Sequence, residues 1–190
     1  MQASPSVNAM PAGAPPRAAA NAAAASFAAL TDSLDYLDNA SIEQVRQAYR
    51  FADEAHLGQL RKNGEPYITH PIAVAAQCAT WKLDAQALMA ALLHDAMEDC
   101  GVTKMDLIER FGAPVAELVD GLTKLDKLEF DTREENQAES FRKMLLAMAR
   151  DVRVILIKLA DRSQHANAVG HAAQQMATHF LGNPGDLRPD

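Results

Sequence analysis

The stretch Ala85-Gln-Ala-Leu-Met-Ala-Ala-Leu-Leu-His-Asp-Ala-Met-Glu-Asp99 constrains this chain most. Its apolar body reads as a helix that makes core, yet it ends in His94, Asp95, Glu98 and Asp99. His94 and Asp95 point roughly 100° apart on a helix, so both can reach one ion lying between those directions. Glu98 and Asp99 follow one turn later on the same faces. Packing alone does not require four polar side chains at the end of such a helix. His70 and Asp161, on neighbouring segments, would complete a mixed nitrogen and oxygen set for one divalent metal, with positions left for water.

Bulk properties narrow the remaining classes. The 190 residues suffice for one domain with a real core, and 48% of them are hydrophobic, as a globular body requires. A formal charge of −7 argues against a DNA-binding or other general nucleic-acid-binding face. It leaves room for a small phosphorylated ligand met by one local basic cluster. Cys78 and Cys100 form no CxxC, which disfavours a disulfide framework or a zinc ribbon and suits a reducing cytoplasm. No run of 18 or more strongly apolar residues predicts a membrane span. The N-terminus lacks the Leu-rich segment of a signal peptide.

Residues 1–29, rich in Ala and Pro, read as a disordered leader, with prolines at 5, 11, 15 and 16 opposing helix. Ser41 with Gln44 resembles a capping box that starts a helix through Val45, Ala48, Tyr49 and Ala52. Pro71 suits the first turn of a helix that follows Tyr67-Ile-Thr-His70. Asp84 caps the helix of 85–98 and Gly101 stops it. Short helices are expected at 104–110 and 113–123, and an amphipathic one at 136–149 with Phe141, Leu145 and Met148 on one face. Val152 to Leu159 is β-branched enough for a strand. With no other convincing strand to pair with, helix is the better reading. The fold class is all-α, an orthogonal helical bundle.

Each candidate has a plainer role when taken alone. His70 before Pro71 suits a helix start bonded to backbone, His94 a satisfied core histidine, and Asp161 before Arg162 a surface ion pair. Glu98 and Asp99 alone suit a solvated helix end. Their joint occurrence in this order favours the metal. The second feature is the basic, Gly-punctuated turn Gly58-Gln-Leu-Arg61-Lys62-Asn63-Gly64. Arg supplies a planar fork for phosphate or a base, and Lys a point charge. Lying just before His70, the pair is placed to neutralise a phosphorylated substrate; in isolation it is a solvated loop.

At these residues the chain resembles a known family. His56-Leu-Gly-Gln-Leu-Arg61-Lys62-x-Gly-Glu-Pro-Tyr-Ile-Thr-His70-Pro71, then Ala91-Leu-Leu-His94-Asp95-x-x-Glu98-Asp99, then Lys158-Leu-Ala-Asp161-Arg162 are similar to the hydrolase domain of RelA/SpoT-type enzymes. The similarity spans about residues 30–162 and includes Gly121-Leu-Thr-Lys-Leu125. The resemblance implies an HD-type helical fold, Mn²⁺, and hydrolysis of the 3′-pyrophosphate of (p)ppGpp to GDP or GTP and pyrophosphate. By motif, it implies that His70, His94, Asp95 and Asp161 hold the metal. Glu98 and Asp99 would activate the attacking water, and Arg61, Lys62 and Asn63 would contact the nucleotide.

The likeness stops after Arg162. The family continues Leu-His-Asn-Met-Arg-Thr-Leu, with the Asn implied in nucleotide binding, where this chain has Ser163-Gln-His165-Ala-Asn-Ala-Val169. Written with permitted codons and shifted by one base, residues 164–169 read Asn-Met-Arg-Thr-Leu, and the family's own continuation follows. The expectation is that 163–190 is an out-of-frame tail on a truncated domain, lacking the helix and loop that should wall the nucleotide pocket. The alternatives are an HD phosphohydrolase for another nucleotide and a non-catalytic fragment.

Overall fold

The computed structural model describes residues 16–126 and 151–181, with side chains for 22–125 and 151–166. Eight helices lie among them: α1 Pro16–Asp32, α2 Asn39–Ala55, α3 Thr69–Thr80, α4 Ala85–Leu93, α5 Ala96–Asp99, α6 Lys104–Phe111, α7 Ala113–Asp126 and α8 Val152–Leu181. No strand occurs among the described residues, and Leu60 and Pro66 form an isolated antiparallel bridge. The all-α expectation holds, including helix for Val152–Leu159.

α4 occupies the centre, packed against α2, α3, α7 and α8. Its sequence dictates that place, because every residue of α4 but Gln86 is buried. A helix apolar on all faces needs neighbours on all faces. Its start is set by Asp84, whose carboxylate accepts from the Ala87 N–H at 2.8 Å. α7 crosses α8 closely at Gly121, where an added Cβ would stand 3.1 Å from Val154 Cγ2.

Four expectations need correction. The disordered leader does not extend to residue 29, because the chain is helical from Pro16. Ala23, Phe27 and Leu30 share one buried face of α1, and the Phe27 ring stacks on Tyr49 at 3.8 Å. Three of the four prolines precede the helix and the fourth begins it, where a missing N–H costs little. Residues 1–15 lie outside the described residues. Second, the cap of α2 is Asp38, not Ser41: the Asp38 carboxylate accepts from the Ser41 N–H at 2.7 Å. Third, the helix expected over 85–98 is two helices, with His94 and Asp95 in the turn between α4 and α5. Gly101 (φ 68°) then follows α5 as expected.

Fourth, helix does not stop with the likeness after Arg162, because α8 continues to Leu181. Adding residues to an existing helix needs no new nucleation, and the Ala, Gln and Met of the tail propagate helix well. The amphipathic helix expected at 136–149 lies outside the described residues.

Candidate metal centre

Three helices deliver one buried side chain each to a common point. His70 sits in the first turn of α3, His94 directly follows α4, and Asp161 lies on α8; each is at most 4% exposed. One atom from each lies within 4.8 Å of the other two, which is within reach of a single ion. Asp161 Oδ1 is 3.1 Å from His70 Nε2 and 3.9 Å from His94 Nε2.

Asp95 stands beside this group. Its Oδ1 is 3.0 Å from His94 Nε2 and its Oδ2 is 3.9 Å from His70 Nε2. The turn at Asp95 (φ −91°, ψ −7°) ends α4 at the point where its two polar residues reach the centre.

His70 Nε2, His94 Nε2 and Asp161 Oδ1 are all buried without a hydrogen bond of acceptable geometry, although they lie so close. A buried polar atom without a partner is costly and rare. Three such atoms pointing at one another, two nitrogens and one carboxylate oxygen, form a donor set that a divalent cation satisfies. The His94 ring agrees, because its Nδ1–H donates to the Ala91 carbonyl at 2.8 Å and so leaves the Nε2 lone pair facing the centre.

Supporting residues that the sequence reading had left without a role hold the carboxylates. The Tyr67 hydroxyl donates to Asp95 Oδ2 at 2.6 Å, and the Lys158 ammonium donates to Asp161 Oδ2 at 2.7 Å. Behind Tyr67, the buried His56 ring stacks at 4.7 Å, with its Nδ1 2.9 Å from Gln59 Oε1 and 3.2 Å from Cys100 Sγ. Spacing was the available signal for Lys158, one turn before Asp161, whereas Tyr67 acts on Asp95, 28 positions away, and no spacing marks it.

The charges are strongly coupled. Burial opposes the Asp95 carboxylate, but His94 and the Tyr67 hydroxyl outweigh it and hold its pKa at about 2. Burial likewise opposes Asp161, and His70, Lys158 and His94 together push it well below the usual carboxylate range. Burial drives His70 below its ordinary value. Burial also disfavours the His94 cation, yet Asp95 and Asp161 raise His94 above its ordinary value. Tyr67 is driven far upward by burial and by Asp95 and Asp99.

The other sequence candidates surround the centre less tightly. Glu98 and Asp99 are exposed on α5, and Asp99 stands close enough to influence the Tyr67 hydroxyl. Arg61, Lys62 and Asn63 form the tip of a turn closed by the Arg61 N–H to the Glu65 carbonyl at 2.8 Å. Asn63 is engaged within that turn, donating through Nδ2 to Glu65 Oε2 at 2.9 Å.

The fold and centre together define, among the described residues, a helical domain with a buried histidine–aspartate group of a kind that could hold a metal ion. A family model described as HD domain matches residues 48–181. The chain belongs to the HD-domain family, on its RelA/SpoT branch. It is 59% identical over 136 residues to the guanosine-3′,5′-bis(diphosphate) 3′-pyrophosphohydrolase of Vibrio cholerae, covering 72% of this chain and 19% of that protein. It is 53% identical over 155 residues to the bifunctional (p)ppGpp synthase/hydrolase SpoT of Escherichia coli K12, covering 82% of this chain and 20% of that one. The chain thus spans about a fifth of the length of these curated relatives. A solved structure, described as that of a metazoan ortholog of SpoT that hydrolyses ppGpp and plays a role in starvation responses, superposes with a TM-score of 0.52. It is 31% identical, covering 64% of this chain and 67% of that one.

Proposed function

We propose that this domain hydrolyses the 3′-pyrophosphate of (p)ppGpp, giving GDP or GTP and pyrophosphate, with Mn²⁺ held by His70, His94, Asp95 and Asp161. The observation that carries the reading is the convergence of unpartnered buried His70 Nε2, His94 Nε2 and Asp161 Oδ1, in a chain so similar to enzymes named for this reaction. A bound divalent metal lowers the pKa of its water and offsets phosphate charge.

The residues divide the remaining work. Tyr67 and Lys158 hold Asp95 and Asp161 in place, as supporting partners of metal ligands do. Glu98 and Asp99, solvent-facing on α5, position the attacking water and take its proton. Arg61 offers a planar guanidinium to phosphate or base, Lys62 adds charge, and Asn63 shapes the turn while facing the nucleotide. A cytoplasmic setting suits two cysteines without a disulfide. It also suits the lack of any membrane-spanning helix among the described residues.

The test is pyrophosphate release from ppGpp by the purified chain with Mn²⁺, beside Asp95→Ala. Release that the substitution abolishes is the expected result. A folded, Mn²⁺-binding chain that releases none would overturn the proposal.

A further inference from the structure

Lys158, Asp161 and His165 are spaced three and four residues apart on α8 and so share one face. The first two belong to the centre already described. The third stands beside it, next to Asp161 and His70 and outside the group of three whose ligand atoms lie within 4.8 Å of one another. His165 Nδ1 lies 2.9 Å from Asp161 Oδ1, and its ring centroid lies 4.6 Å from that of His70. Nδ1 is also 3.1 Å from the Asp161 carbonyl oxygen, a hydrogen bond that the ring must give up, by rotating, before this nitrogen can ligate.

Asp161 Oδ1 therefore faces three imidazoles: His165 Nδ1 at 2.9 Å, His70 Nε2 at 3.1 Å and His94 Nε2 at 3.9 Å. Around an ion with bonds of about 2.1 Å, two ligands at right angles stand about 3 Å apart. The His165–Asp161 separation of 2.9 Å has that value, as do 3.1 Å for His70–Asp161 and 3.0 Å for His94–Asp95. His70 and His94 are sealed in the core, whereas the His165 side chain is 65% exposed and has room to rotate.

We propose that His165 is a further ligand to this metal, supplying a third imidazole from the solvent side of the centre. The proposal rests on the metal reading above. It changes the chemistry of the site, because imidazole favours Co²⁺, Ni²⁺ and Zn²⁺, whereas carboxylate and water suit Mn²⁺. A third nitrogen ligand shifts the preference of this chain toward the former group and leaves one fewer position for water.

The test is a titration of the full chain with Co²⁺, followed by its visible absorption, and with Mn²⁺, followed by electron paramagnetic resonance. His165→Ala and His165→Gln are compared with wild type and with His94→Ala. The expected result is at least about tenfold weaker Co²⁺ binding in both His165 variants, the smallest loss seen even for a partner outside the ligand set. Their Co²⁺ bands should shift, and Mn²⁺ affinity should fall by less. Wild-type affinity and an unchanged Co²⁺ spectrum in both variants, while His94→Ala loses binding, would overturn the role of His165 and leave the metal reading standing. Failure of the wild-type chain to bind either ion would overturn both.

Discussion

His70 and His94 enter the metal centre from helices sealed inside the core. Asp161 enters from α8, where Leu159 and Arg162 face solvent. The α3–α4 side is apolar and closed: Leu88, Leu92 and Leu93 are fully buried just before His94. The α8 side carries Lys158 and His165, and the latter is largely exposed. A closed wall holds ligands in fixed rotamers, because its side chains are close-packed. An open wall admits substrate and tolerates change at exposed positions.

Breaking the closed wall should have the largest effect. Leu88→Ala should cost about 2–5 kcal/mol of stability through lost burial and a cavity, read by urea unfolding. Leu159→Ala on the open wall should stay within about 0.5 kcal/mol. Equal losses at the two positions would erase the distinction.

Removing a ligand comes next. Asp161→Ala should weaken Mn²⁺ binding by more than about 100-fold, beyond the loss expected for an outer partner, measured by calorimetry. Tyr67→Phe keeps the ring stacked on His56 and deletes only the hydroxyl on Asp95, so its cost should be near tenfold. A Tyr67→Phe chain with wild-type metal affinity would show that Asp95 needs no holding.

The smallest effect is with pH. A protonated imidazole cannot ligate, so protons compete with metal below the pKa of His94. That pKa is raised above the ordinary 6.5, against the opposing effect of burial, by Asp95 and Asp161. Mn²⁺ affinity should therefore climb as pH rises through and somewhat above 6.5, then level off. Asp95, with a pKa of about 2, is ionised throughout that range and adds no slope. Affinity that is flat from mildly acidic to mildly basic pH would contradict the charge pairing at His94.

Much of this was legible in residue order. Apolar periodicity marks α2, the Asp84 cap and the apolar run mark α4, and the spacing of His70, His94-Asp95 and Asp161 marks the centre. The helical part of the leader was not legible, because Phe27 and Leu30 are sparse among alanines that also suit a disordered chain. Their burial depends on Tyr49 and α3, which are distant in sequence. Tyr67 was visible as a residue but not as a support for Asp95, because a hydrogen bond across 28 positions leaves no local pattern.

The sequence by itself determined most of the helices and the kinds of side chain that could serve as ligands, because periodicity, caps and side-chain chemistry are local. Only the tertiary structure decided that α3, α4 and α8 meet with their lone pairs at one point, since that depends on how the faces of three separate helices pack. It also decided the part played by His165, because a histidine one turn after an aspartate is ordinary until the helix carrying both is laid against His70.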